Sequence, residues 1–249
     1  STKDQLIAMM FCQLSGAESL REIADGLYSS LGKLNHIGAH AIGRSTLSYV
    51  NQHRDYHVYE DFYYGLLEYF RNELTGARIK PISTDKKIFS LDSTTIGLCL
   101  KLFDWARFRT IKGGIKLHTL LDNDTLMPEF IAVSEAVVSD IKAACTLVDI
   151  PKNCILTIDR GYYDFRWYRQ LSQRHITFVT RIKDNIKLKR VKRILVDKNE
   201  NWGCYEITLQ SDETTHERGR LKVIPKYRLV QWKDKENGRW FEYLTNDWN

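Results

Sequence analysis

Between residues 86 and 182 the chain reads as strand-length apolar runs broken by turns and amphipathic helices, and two of those runs end in an aspartate. KIFSLDSTTI alternates apolar residues up to Asp92, and CILTIDRGYYD is a buried-type run that stops at Asp159. Between them, GGIKLHTLLD and LMPEFIAVSEA read as two strands turning at Asn123-Asp124, followed by a helix, SDIKAACTLVDI, with Ser139 at its N-cap. DFRWYRQLSQRH is then a helix and ITFVTRI a strand. Three strands, helix, strand, helix, strand predicts a mixed sheet covered by helices.

An aspartate closing a strand is, taken singly, more often the N-cap of the next element. Two of them on strands of one sheet read differently. A carboxylate beside an apolar run is costly to bury unless it is paired or holds a metal, and sheets of this kind place ligands at the carboxyl ends of their strands. Asp92 and Asp159 are therefore the candidate metal-binding and catalytic residues. Magnesium prefers such hard oxygen ligands and takes only one or two from the protein. Two ions ~3.5–4 Å apart can activate water or a 3′-hydroxyl and stabilise the leaving oxygen of a phosphodiester. Ser93, Thr94 and Thr95 lack the glycines of a nucleophile elbow and are assigned to hydrogen bonding near the acid.

The flanks differ from this core. Residues 4–74 read as helical, with Leu6, Ile7, Met10 and Phe11 at helical spacing and Ser19 three residues before Glu22 in a capping-box pattern. EDFYYGLLEYFRNEL (60–74) is strongly amphipathic. LREIADGL and GRSTLSYVNQHR resemble the two helices of a helix-turn-helix. The second would carry Arg44, Ser45, Thr46, Asn51, Gln52 and Arg54, with Arg44 and Arg54 as candidate DNA contacts; plain helical packing explains the same pattern. Residues 183–243 hold strand-like pieces (WGCYEITLQ, RLKVIPKYRLVQW, RWFEYLTN) between turn-rich stretches, an antiparallel β-insert whose last strand returns to the core. The chain thus divides into a helical region (1–80), an α/β core with both acids (81–182), and the insert with its returning strand (183–249).

Charge and cysteine content narrow the class. The net charge of +6 is too mild to demand an anionic partner by itself. RIKDNIKLKRVKR (181–193), however, holds seven basic residues and one acid. Lys187, Lys189, Arg190, Lys192 and Arg193 are its candidates for tracking a DNA backbone, against the alternative of a solvated face. Arg160 and Tyr162 follow the second acid. Arg160 suits a scissile phosphate and equally suits pairing with Asp159. Arg107, Arg109, Lys112 and Lys116 interleave with Phe103, Trp105 and Phe108, a pattern that fits nucleic acid or ordinary packing. The pairs His36/His40 and His53/His57 are read as coincidental spacing. Five scattered cysteines without a CxxC argue against a disulfide framework or a cysteine zinc site. No apolar run approaches the ~18 residues that cross a bilayer, so no membrane partner is expected. Both ends look cut, which predicts a piece of a longer protein.

SLDSTTI and TIDRGYYDF resemble the first and second acid motifs of the DDE transposases, in the IS4-type insertion-sequence group. GGIKLHTLLD and the closing YLTN strand are also similar to that group. The likeness spans roughly residues 5–249 and is strongest over 86–182. It implies a ribonuclease H-like fold, with Asp92 and Asp159 as the first two catalytic acids and residues 183–243 as the family's β-rich insert. It further implies two Mg²⁺ (or Mn²⁺) ions in the complete site, and DNA, as transposon ends and target, for partner. A homodimer on paired ends follows by the same likeness, as does a bacterial cytoplasmic location, nucleoid-associated when DNA is bound. The implied reaction is hydrolysis at the element's 3′ ends, then attack of the freed 3′-hydroxyl on target DNA. The family's third acid is a glutamate spaced Tyr, two residues, Arg, three residues, Glu, six residues, Lys. No stretch here fits that spacing, and Glu242 lies within the final strand. The expectation is a chain cut before that helix and inactive alone. Two other readings are a ribonuclease H-like nuclease that cleaves without joining, and a DNA-binding remnant without catalysis.

Overall fold

The structure, a computed structural model, describes residues 1–73, 84–98, 107–109, 112–183, 188–197, 202–209 and 226–248. For 97–98, 107–109, 112–113, 188–197 and 208–209 the description is of the backbone. Two compact units divide the chain, Ser1–Glu73 and Leu74–Asn249.

The first unit is five helices: α1 (Thr2–Ser15), α2 (Leu20–Ser29), α3 (Leu31–His36), α4 (Arg44–His53) and α5 (His57–Glu73). Gly16 ends α1 in the left-handed region at φ 68°, where a side chain would be strained. Ser19 caps α2, its hydroxyl accepting from the Glu22 N–H at 3.2 Å. Glu22 reaches back to the N–H of Glu18 rather than that of Ser19. Ala8, Ile23, Leu27, Leu34 and Leu47 meet in one core, with Ile7 and Phe11 of the expected apolar stripe partly buried against it and Met10 of that stripe exposed. The expected helix-turn-helix is modified, because α3 and a loop separate α2 from α4 in place of a short turn. Leu34, buried on α3, supplies the reason: that stretch has a core residue of its own to bury.

The described residues of the second unit form a ten-stranded sheet with helices. Its strands are β1 (Ile88–Leu98), β2 (Arg107–Arg109), β3 (Lys112–Asp122), β4 (Pro128–Glu135), β5 (Ile155–Ile158), β6 (Thr177–Arg181), β7 (Leu188–Asp197), β8 (Trp202–Leu209), β9 (Tyr227–Lys233) and β10 (Trp240–Thr245). They lie in the order β2-β3-β1-β5-β6-β10-β9-β8-β7, with β4 also paired to β3. Among the described residues only β1–β5 and β5–β6 are parallel, and they are joined through helices α6 (Asp140–Thr146) and α7 (Phe165–Gln173). Parallel neighbours need such crossovers, whereas the antiparallel remainder closes by turns. This mixed α/β sheet with helices is the ribonuclease H-like architecture expected of the sequence.

Asp164 starts α7 by accepting from the N–H groups of Arg166 and Trp167 at 2.6 and 3.0 Å. Trp167, Tyr168 and Leu171 then fall on one face and are all buried. Tyr168 stacks on Phe178 of β6, centroids 4.4 Å apart, in the core that also holds Phe89, Leu91, Leu156 and Ile158. The strands read as a β-insert continue this sheet. Ile207, Tyr227 and Leu229 enter the same core, and β10 returns beside β6. Among the described residues no helix is long and apolar enough to cross a membrane.

Candidate active site

The apolar alternation that builds β1 also sets the direction of its acid. Phe89 and Leu91 face the core at 1% and 2% exposure, so with a period of two Ser90 and Asp92 take the opposite face. In the parallel register Ser90 pairs with Thr157 and Leu91 with Ile158. The Ser90 and Thr157 hydroxyls are 2.7 Å apart. One step beyond Leu91 and Ile158 come Asp92 and Asp159, on adjacent strands about 4.8 Å apart. Only β5 ends at its acid as expected; β1 runs on past Asp92 to Leu98, held by its antiparallel pairing with β3, so Asp92 sits mid-strand where the parallel pairing with β5 stops. Both acids are exposed.

Each carboxylate is held from one side by its own backbone. Asp92 Oδ1 accepts from the Ser93 N–H at 2.7 Å, and Asp159 Oδ1 accepts from the Gly161 N–H at 2.7 Å. Asp159 thereby caps the 3-10 turn Arg160–Tyr162. The capping role weighed for a strand-ending aspartate is thus real here, yet it occupies one oxygen. Gly161 is required for closeness: a Cβ there would come within 2.9 Å of Asp159 Oδ1 and 3.4 Å of Asp140 Oδ2.

Asp140, the first residue of α6, is a third carboxylate beside the pair, and it does not stand out in the sequence. Its Oδ1 accepts from the Ser93 hydroxyl at 2.7 Å and from Lys116 Nζ at 3.0 Å. Lys116 also donates to the Val138 carbonyl at 3.0 Å. Burial opposes the Asp140 charge, but the hydrogen bonds from Ser93 and Lys116 outweigh it and hold the carboxyl below its ordinary value. The signal that could find it is a lysine inside the apolar run GGIKLHTLL; such a residue must snorkel or meet an acid.

Of the other predicted residues, Tyr162 is moved from the surface to the interior. It is 1% exposed, because the 3-10 turn folds its ring onto the core beside Trp167. Its hydroxyl is buried facing Ser93 and the acids, and burial, with Asp140 next, pushes its ionisation well above the usual tyrosine value. Arg160 is half-buried beside the second acid. Lys187 lies outside the described residues, and Lys189, Arg190, Lys192 and Arg193 fall on β7, the edge strand of the sheet, described as backbone. Arg107, Phe108, Arg109 and Lys112 are likewise backbone positions on β2 and β3, while Phe103 and Trp105 lie outside the described residues. In the helical unit Arg44 is exposed at the start of α4 and Arg54 half-buried at its end. Asn51 is engaged internally, accepting from Gln5 Nε2 at 2.6 Å. A cavity of about 540 Å³ bordered by Asn153, Arg169, Thr177 and Asn246 lies at the other ends of β5 and β6, away from the acids.

A mixed sheet with two acids side by side where its parallel pairing stops is the arrangement of the ribonuclease H-like class of folds. The family model described as the transposase DDE domain matches residues 83–247, and the chain belongs to that family. Residues 1–40 match a domain family of unknown function (DUF4372). Over 160 residues the chain is 31% identical to "Putative transposase y4zB" of Sinorhizobium fredii, covering 63% of this chain and 43% of that protein. It is 24% identical over 162 residues to "Probable transposase for insertion sequence element IS5377" of Geobacillus stearothermophilus, covering 65% and 41%. The matched stretch spans less than half the length of either relative.

Proteins of this family normally work with a divalent metal ion. Among the described residues no three His, Cys, Asp or Glu side chains form a ready ligand set. Two adjacent carboxylates, each tethered through one oxygen, do fit a magnesium ion that draws its remaining ligands from water and phosphate.

Proposed function

We propose that this chain supplies the catalytic sheet of a transposase that cuts DNA at the ends of a mobile element and joins the freed 3′ ends to target DNA. The observation that carries this reading is the β1–β5 register, which brings the exposed Asp92 and Asp159 side by side just past the last parallel pair. Asp92 and Asp159 would hold the divalent ions, Mg²⁺ or Mn²⁺. Bound there, such ions would activate the attacking oxygen and stabilise the leaving one.

The chain's own residues have separate tasks. The Ser93 and Gly161 N–H groups fix each carboxylate's rotamer before substrate arrives, which limits the reorganisation left for the reaction. Arg160, the residue after Asp159, is assigned to a phosphate oxygen of the cleaved strand. The basic residues of 187–193, with Arg44 and Arg54 on the helical unit, are assigned to the DNA backbone, where contacts add affinity without reading sequence. Acting on paired ends calls for two copies of the protein, and DNA as the partner places it in the bacterial cytoplasm at the nucleoid.

The test uses the full-length protein with a duplex carrying the element's terminal sequences and a target plasmid. Asp92→Asn and Asp159→Asn are expected to lower both end cleavage and strand transfer by at least about a thousandfold, as losses of transition-state charge stabilisation do. Circular dichroism and DNA affinity should stay near wild type. Cleavage without joining would replace this reading with that of a nuclease. DNA binding without metal-dependent cleavage would make the protein a binding remnant.

A further inference from the structure

Asp140 is bonded beside one acid and lies next to the turn that follows the other. Its Oδ1 takes the Ser93 hydroxyl at 2.7 Å, and Ser93 is the residue whose N–H holds Asp92. Its Oδ2 faces Gly161, near enough that a methyl group there would lie 3.4 Å away, and the Gly161 N–H holds Asp159. Lys116 pairs with the same Oδ1 at 3.0 Å, with 13% of the lysine side chain and 25% of the aspartate exposed. The lysine is anchored in turn by the Val138 carbonyl, two residues before Asp140. Lys116 of β3 thus ties the start of α6 to the middle of β1, beside the turn that follows β5.

From this geometry we infer that Asp140, neutralised by Lys116, is a positioning residue that holds Asp92 through Ser93 and braces the Gly161 turn under Asp159. The inference rests on the metal-site reading of Asp92 and Asp159. Asp140 acts as a hydrogen-bond acceptor at fixed distance and is not itself an ion ligand; its charge is balanced by Lys116, so it adds no net charge beside the pair. Partners that orient ligating carboxylates typically contribute ten- to a hundredfold in metal affinity or activity.

The experiment is Mn²⁺ titration of the full-length protein by calorimetry, without DNA, on wild type, Asp92→Asn, Asp140→Ala, Asp140→Asn, Ser93→Ala and the Ser93→Ala/Asp140→Ala double variant. Asp140→Ala is expected to weaken Mn²⁺ binding about ten- to a hundredfold, whereas Asp140→Asn, which keeps the acceptor oxygen but leaves the Lys116 charge unbalanced, loses less than Asp140→Ala. Because Asp140→Ala and Ser93→Ala break the same hydrogen-bonded relay, the double variant should fall short of the product of the two single variants. Two results overturn the inference: Mn²⁺ affinity unchanged in Asp140→Ala, or Asp140→Asn losing as much as Asp92→Asn, which would make Asp140 a ligand. Loss of folding in Asp140→Ala leaves Asp140→Asn and Ser93→Ala to decide, with Ser93→Ala at wild-type affinity counting against the relay. Wild-type binding that is absent, or indifferent to Asp92→Asn, would overturn the metal reading itself and so is distinct from these outcomes.

Discussion

His118 sits on β3 directly across from Ser93 in the antiparallel register, and it is fully buried. Its Nε2 lies 2.9 Å from the Ser134 hydroxyl. Burial disfavours the imidazolium and lowers its pKa below the ordinary 6.5; Asp140 pulls the other way and Lys116 adds to the lowering. In the unfolded chain the ring takes a proton near its ordinary value, while in the fold it stays neutral to a lower pH. Between those two values the unfolded state binds more protons, so stability falls as pH falls through the window. The urea midpoint of the second unit should therefore drop between about pH 7.5 and 5.5, around the ordinary histidine value, and His118→Gln should flatten that dependence. An equal slope in wild type and variant would assign the acid sensitivity to other groups. The same neighbourhood shows what single residues reveal in advance. Asp92 and Asp159 stand out in the sequence because each interrupts an apolar run at its end. Asp140 does not, since an acid in the first turn of a helix is commonplace. Its meeting with Ser93 and Lys116 depends on the β1–β3 register and the seat of α6, neither of which any one residue encodes.

At the scale of elements, β5 is the strand on which the site hangs, because it is parallel to both neighbours and short. Leu156 lies within it with no exposure, two residues before the end that carries Asp159. Leu156→Ala is expected to cost about 2–5 kcal/mol, the range for removing a fully buried leucine without full collapse of the space. Chemical denaturation followed by tryptophan fluorescence measures it, and a loss under about 1 kcal/mol would mean that the sheet repacks around the gap. Strands such as β1, β5 and β6, and helices such as α7, are legible in the sequence because their apolar period matches their geometry over several residues. α5 is legible as an amphipathic helix too, yet it buries only Leu67. Periodicity reports which face is apolar, and packing decides how much of that face is covered. The strands β7 to β9 read as a separate insert for a similar reason: turn-rich stretches mark where strands end, but whether the next strand joins an existing sheet is set by edge pairing that local sequence does not record.

For the whole molecule the question is whether a chain with 37 lysines and arginines against 31 acids gathers enough positive charge for the proposed hold on DNA. An excess of six spread evenly over the surface would give a weak, unfocused field. The run from 181 to 193 concentrates seven of those basic residues with one acid, and its second half enters β7, the outermost strand of the sheet. Lysines on an edge strand have a second explanation, since they also keep unpaired backbone from joining another sheet. Salt separates the two. A residue that neutralises a phosphate releases a counterion, so each neutralised phosphate contributes about −0.9 to the slope of log affinity against log salt. Replacing Lys189, Arg190, Lys192 and Arg193 together by glutamine in the full-length protein should weaken duplex binding. The same replacement should flatten that slope by about 0.9 for every phosphate left without its cation. Fluorescence anisotropy across a salt series gives both quantities at once. If the slope holds and the variant instead aggregates, the run is a guard on the sheet edge, and the DNA path must be sought at Arg160 and on the helical unit.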